Sequence, residues 1–259
     1  MEISEEYQSL PVNYCDPIVL LWEDESSNPH FFTATGTYIQ LGSRFILVTN
    51  AHVYREFERV RQVFGRAVFH VGGRDLRDID SRFIDLDEGS DLATIDLGGV
   101  TLTPRDTARA ALQTRSFFNP ATPWPAEASV DDIVSFGGWP GVLRRNEFDN
   151  RGAEFNPYTI TNVPITGVTL DSFRARVDRR NVTYSFGRTR NDEDEADFDF
   201  RGFSGAPVLR RRNDITELVG IVMEYLGFMA DSDVLVDTFV MTNASSIKND
   251  GTLRHDIRR

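Results

Sequence analysis

Cysteine is almost missing from this 259-residue chain, Cys15 being the only one. No intrachain disulfide framework can form, which fits a reducing compartment. Around that thiol, Asn13-Tyr14-Cys15-Asp16-Pro17 carries none of the local patterns that activate a nucleophile, so a structural role near the first strand is expected. Lysine is as rare: Lys248 stands alone and every other basic residue is arginine. Positive charge as a whole is short, with 28 basic against 40 acidic side chains and a net charge of −12. That balance argues against nucleic acid or an anionic membrane as the main partner. Long apolar runs are also lacking. The longest early one, Ile18 to Trp22, is far too short to span a bilayer. The opening Met1-Glu2-Ile3-Ser4-Glu5-Glu6 is acidic where a secretory signal would be basic, and no apolar stretch follows it. A cytoplasmic protein is the simplest expectation.

What remains is an ordinary globular composition, 40% hydrophobic and 26% charged, long enough for one to two domains. Short β-rich runs separated by turns dominate it. They fall at Ile18–Trp22, Phe31–Gln40, Phe45–Thr49, Ala67–Val71, Leu92–Leu97, Ile133–Phe136 and Tyr158–Val163. Five more follow, at Ser172–Val177, Val182–Phe186, Ala206–Leu209, Leu218–Glu224 and Thr238–Thr242. Leu41-Gly42-Ser43-Arg44 has the spacing of a hairpin turn. Short helices are expected at Tyr54–Gln62 and around Thr107–Leu112. The pattern predicts an all-β fold, a barrel or a sandwich, in two halves of similar size. Residues 1–116 would hold the first half and 129–259 the second. Residues 117–128, with Pro120, Pro123 and Pro125, would form the crossing between them. The acidic run Asn191–Asp197 reads as a solvated loop, because nothing in it has the spacing of a calcium loop.

Three segments carry chemistry in combination. In Thr49-Asn50-Ala51-His52-Val53, an apolar strand ends in small polar residues and delivers a histidine at its edge. In Ser90-Asp91-Leu92-Ala93, an aspartate opens an apolar strand. In Gly202-Phe203-Ser204-Gly205-Ala206-Pro207, a serine sits between glycines that let backbone N–H groups approach a substrate carbonyl. Each is weak alone, since His52 and Asp91 would separately pass for structural residues and Gly-x-Ser-Gly for a turn. The other histidines considered, His30, His70 and His255, lack the context of His52. Asp85, Asp87 and Asp96 do not open the Asp-Leu-Ala strand.

The order His, Asp, Ser is that of the chymotrypsin arrangement. On these residues the chain resembles the trypsin-like serine peptidases of the chymotrypsin fold, from about Ile18 to Thr242. Gly36-Thr37-Tyr38-Ile39 is similar to that family's entry into the first barrel. Val134 to Gly141 resembles the opening of the second barrel in bacterial HtrA-type proteases. Leu218 to Val222 resembles the strand lining the substrate cleft. With about 35 residues after Met223-Glu224, the PDZ domain of HtrA proteins is not expected.

The resemblance implies two antiparallel β-barrels, the first within 1–116 and the second within 129–259, and a serine endopeptidase with its site in the cleft between them, needing neither metal nor organic cofactor. Ser204 would be the nucleophile, His52 its base, and Asp91 the group that orients His52. The N–H groups of Gly202 and Ser204 would form the oxyanion hole. A protein or peptide would be the substrate, and a protein partner would activate or restrain the enzyme. Phe203 stands where secreted members carry an aspartate, which removes activation by N-terminal cleavage. The substrate pocket would be bounded by Phe198, Asp199, Met223, Glu224 and Tyr225. Phe198 at its base would favour a small or medium apolar side chain, with Asp199 and Glu224 turned to solvent. The rival expectation is a catalytically silent, protease-like binding module.

Overall fold

The β-branched and aromatic residues crowded between Ile18 and Thr49 form a meander in the computed structural model. The structure describes residues 10–100, 116–120, 124–140, 144–145, 154–155, 157–178, 183–185, 200–231 and 234–255. Strand β1 (Cys15–Glu23) pairs antiparallel with β2 (Pro29–Leu41), and β2 with β3 (Arg44–Thr49) across the hairpin turn at Gly42-Ser43. Helix α1 (Ala51–Phe64) follows. Then come β4 (Val68–Val71), β5 (Arg74–Asp75), the short helix α2 (Ile79–Arg82), β6 (Phe83–Asp87) and β7 (Leu92–Asp96). These strands make one antiparallel sheet in the order β5-β4-β1-β2-β3-β7-β6.

The second half contains β8 (Ile133–Gly138), the two-residue pair β9 (Arg144–Arg145) and β10 (Glu154–Phe155), and β11 (Tyr158–Val168). It continues with β12 (Ser172–Asp178), β13 (Thr183–Ser185), β14 (Pro207–Arg212), β15 (Ile215–Asp231) and β16 (Val234–Asn243). The order β12-β16-β15-β14-β8-β11 is closed by a β11–β12 pairing, and β13 adds to β11. The fold is therefore mostly β, with one closed six-strand antiparallel barrel and one open seven-strand antiparallel sheet.

The expectation of two closed barrels is corrected in the first half. Its end strand β5 has two residues, too few to bridge to β6. Helix α1 packs against β1 and β7 instead, burying Val53, Tyr54 and Phe57 with Ile18, Leu20, Phe69 and Ile95. That helix begins three residues before the expected Tyr54. His52 consequently lies in its first turn and not at a strand edge. The helix expected near 107–112 and the acidic run at 191–197 lie outside the described residues.

A third apolar cluster joins the halves. Ile39, Ile46, Val48 and Leu92 from the sheet pack with Leu209, Leu218, Ile221 and Ile247 from the barrel side. Cys15 is fully buried with Val12 and Trp139. The crossing segment follows β2, where Gln40 N–H donates to Phe118 O at 2.8 Å and Phe118 N–H to Tyr38 O at 2.9 Å.

Candidate active site

Strand β3 ends at Thr49, and helix α1 starts with a turn whose N–H groups have no partners within the helix. Asn50 sits at the cap position, yet its side chain makes no capping bond. Asp91 does that work from across the sheet, its Oδ1 accepting the His52 backbone N–H at 3.0 Å. A carboxylate there also meets the positive end of the helix dipole. The second oxygen, Oδ2, lies 2.8 Å from His52 Nδ1. One carboxylate thus fixes both the helix start and the ring. The His52 side chain is 45% exposed against 19% for Asp91, so the ring's far edge faces outward. Its Nε2 makes no hydrogen bond to any described residue.

The turn that presents Asp91 is held on several sides. Asp91 itself has a left-handed φ of 50°, a conformation aspartate tolerates better than most residues. Asn50 Nδ2 donates to Asp91 O at 2.9 Å, and Thr242 of the barrel donates its hydroxyl to Ser90 O at 2.6 Å. Asp87 Oδ2 accepts both the N–H and the hydroxyl of Ser90, at 2.8 and 2.6 Å.

Ser204 lies on two turns in tandem. Phe203 N–H donates to Phe200 O at 3.1 Å, and Ala206 N–H to Phe203 O at 2.8 Å. Gly202 and Gly205, each third in its turn, have φ of 106° and 91°, the type II signature that favours glycine. A side chain on Gly205 would also collide with the Thr35 carbonyl and come within 2.9 Å of Thr49 Oγ1. Phe203, 1% exposed, anchors the loop in the barrel's aromatic core beside Phe136, Phe200 and Phe239.

Three peptide units of this loop are bonded at both ends. Gly202 O accepts from Thr35 Oγ1 at 2.6 Å while Phe203 N–H is used in the first turn. Ser204 O accepts from Thr35 N–H at 2.8 Å, and Gly205 N–H donates to Val222 O at 2.8 Å. Gly205 O accepts from Thr37 Oγ1 at 2.6 Å while Ala206 N–H closes the second turn. The N–H groups of Gly202 and Ser204 have no hydrogen-bond partner among the described residues. They are the two donors that the sequence singles out for an oxyanion.

The loop is tied to the end of β3, just before the helix turn that carries His52, because Thr35 O accepts the Thr49 hydroxyl at 3.0 Å. No hydrogen bond joins Ser204 to His52. The Ser204 hydroxyl instead donates to Met223 O at 3.5 Å. Of the other pocket residues, Glu224 is exposed. Tyr225 packs on Phe200 and Phe239, its hydroxyl donating to the fully buried Asp237 at 2.7 Å. Phe198 and Asp199 lie outside the described residues. Among the described residues, no group of three or more His, Cys, Asp or Glu side chains is placed to hold a metal ion, and no helix is long and apolar enough to cross a membrane.

Of the rival acids and bases, His30, His255, Asp85, Asp87 and Asp96 are engaged elsewhere, Asp96 by the Gly98 N–H at 2.7 Å. His30 pairs with Asp24 at 3.1 Å and stacks on Trp22. His255 Nε2 lies 2.9 Å from both oxygens of Asp85, and its Nδ1 lies 3.6 Å from Asp87 Oδ1. Burial alone would raise the pKa of Asp85. The Leu253 N–H, the His255 ring and the Leu86 N–H outweigh it and hold the carboxyl below its ordinary range. Asp87 is held low in the same way, its burial outweighed by Ser90 and Gly89.

Sequence reasoning missed Thr35, Thr37 and Thr242, because threonine in a strand looks like any β-former. It also missed the buried Asp237. No protein-family model matches the chain, and no curated protein matches it.

Proposed function

We propose that this protein is a serine endopeptidase of the chymotrypsin type, working on protein or peptide chains in the cleft between the sheet and the barrel. Ser204 Oγ attacks the scissile carbonyl carbon, forming a C–O bond, while His52 Nε2 takes its proton. The carbonyl oxygen becomes an oxyanion between the N–H groups of Gly202 and Ser204. The C–N bond then breaks and His52 returns the proton to the departing amine. Water repeats the sequence and releases the acid. Asp91 keeps the His52 proton on Nδ1 and stabilises the imidazolium. Each oxyanion donor lowers the barrier by roughly 3 kcal/mol.

One observation carries the reading: Asp91 occupies His52 Nδ1, while His52 Nε2 and, in the tandem glycine turns, the N–H groups of Gly202 and Ser204 have no partner among the described residues. The protein's reducing setting and a substrate of protein or peptide nature belong to the same proposal.

The Ser204 hydroxyl on Met223 O favours a second reading, in which the chain rests in a silent state, as a binding module or a protease awaiting a partner. Catalytic hydrogen bonds are often loose without substrate, so the bond does not exclude the first. A fluorophosphonate probe decides between them. The enzyme takes the label at Ser204 as purified. Labelling only after addition of cell lysate supports the partner-dependent form. No labelling under either condition, in folded protein, refutes both hydrolytic forms and leaves the binding module.

A further inference from the structure

We propose that Thr35, in strand β2 of the open sheet, is a positioning residue that holds the oxyanion donors in place through its side-chain hydroxyl; this rests on the hydrolytic reading above. Thr35 is completely buried and makes four polar contacts. Its N–H donates to Ser204 O, its carbonyl accepts the Thr49 hydroxyl, and its own hydroxyl has two partners. That hydroxyl donates to Gly202 O at 2.6 Å and accepts from Trp139 N–H at 3.1 Å. Trp139 directly follows β8, the opening strand of the barrel. One oxygen therefore sits where the sheet, the barrel's first strand and the serine loop meet.

The packing leaves no slack at this point. A Cβ on Gly138 would lie 2.7 Å from Thr35 Oγ1, and 2.7 Å from the Phe203 ring. Gly202 has no side chain to restrict its φ, so its conformation depends on what its peptides bond to. The Thr35 hydroxyl holds one end of the Gly202–Phe203 peptide and Phe200 O holds the other. With that peptide pinned at both ends, the flexible Gly202 is anchored on one side, which limits the directions its own N–H can take. Without the hydroxyl, the buried Gly202 O loses the bond it accepts and Trp139 N–H loses the one it donates there, and the turn gains a reason to rearrange.

The experiment compares Thr35→Val, Thr35→Ser and Thr37→Val in the full chain. Thr35→Val keeps the shape and the backbone bonds but lacks the hydroxyl, Thr35→Ser keeps it, and Thr37→Val removes a similar bond to Gly205 O. The readout is fluorophosphonate labelling of Ser204, separated into the maximal inactivation rate and the half-saturating concentration, with thermal unfolding of each variant. Thr35→Val lowers the maximal rate by about 10- to 100-fold with little change in half-saturation, the scale of a misplaced donor. Thr35→Ser restores it to near the wild-type rate. Thr37→Val loses comparable thermal stability with a much smaller loss of rate. A folded Thr35→Val labelling at the wild-type rate overturns the proposal, as does Thr35→Ser labelling as slowly as Thr35→Val. If Thr35→Val does not fold, Thr35→Cys replaces it, since a thiol of similar size is a weak donor, and is held to the same two criteria. A folded wild-type protein that takes no label, alone or with cell lysate, sinks the hydrolytic reading itself, whereas a labelled wild type with unimpaired variants sinks only the role of Thr35.

Discussion

Among the described residues, two of the histidine–carboxylate pairs, His255 with Asp85 and His52 with Asp91, lie against neighbouring strands of the open sheet and differ in one respect. His255 has both ring nitrogens against carboxylates, Nε2 on Asp85 and Nδ1 near Asp87. His52 has Nδ1 on Asp91 and no partner on Nε2 among the described residues. The first pair closes on itself and ties the C-terminal segment to β6, helped by the Leu253 N–H on Asp85. The second is left open at its outer edge and carries the helix start besides. A histidine saturated with carboxylates is a fastener, while one with a single orienting carboxylate retains a nitrogen for proton transfer.

The sharpest way to break this contrast is to remove each ring. His52→Ala, like Ser204→Ala, reduces peptide hydrolysis by about a million-fold, whereas His255→Ala leaves turnover close to wild type. Steady-state assays on purified variants read the difference, and equal losses at both histidines would erase it. The carboxylates sharpen the point at smaller scale. Asp91→Asn lowers turnover by about ten-thousand-fold through the wrong histidine tautomer, while Asp85→Asn and Asp87→Asn leave it nearly intact. If Asp87→Asn were the crippling change, the hydrogen bonds of Ser90 to Asp87 would matter more than the orientation of His52.

Next in size is a pH effect. Asp85 and Asp87 are held below their ordinary pKa in the folded protein. A carboxyl depressed in this way stabilises the fold above its unfolded pKa of about 4. The contribution fades as pH falls from there through the lower folded value. Urea midpoints between pH 2 and 6 should drop for the wild type, and Asp85→Asn and Asp87→Asn should each flatten part of the drop. Parallel curves for all three proteins would contradict the assignment. The smallest effect is at neutral pH, where His255→Ala costs about 0.2–1 kcal/mol, as expected of a half-exposed pair. A loss of several kcal/mol in chemical denaturation would show that the C-terminal segment depends on this one ring.

The local chemistry was readable in the residues: an apolar strand running into Thr49-Asn50-Ala51-His52, an aspartate opening Leu92–Ile95, a serine between Gly202 and Gly205. The long strands were readable too, since Ile18–Trp22 and Phe31–Gln40 have the composition of buried β-structure. Strand β6, Phe-Ile-Asp-Leu-Asp, escaped notice because its two carboxylates make the alternation look like a loop. The early start of α1 was hidden by its first residues, which read equally as the end of β3. Closure of a sheet into a barrel depends on which strands meet at long range. Nothing local in β11 or β12 announces their pairing, and nothing in β5 announces that it stays at an edge. Thr35 was invisible for the same reason, its partners lying in a different part of the chain.

The span of those partnerships sets an order of assembly. His52 and Asp91 are 39 residues apart, but Thr35 and Thr37 reach Gly202 and Gly205 across 167 and 168 residues. At a translation rate of roughly 5–20 residues per second, the strand carrying the threonines leaves the ribosome on the order of ten to thirty seconds before the loop it clamps. During that interval the emerging chain holds a base and its orienting carboxylate with no nucleophile and no oxyanion donors. On the proposed reading, a half-synthesised copy is harmless to its surroundings, and cleaving power arrives in one late step when the barrel docks on the sheet.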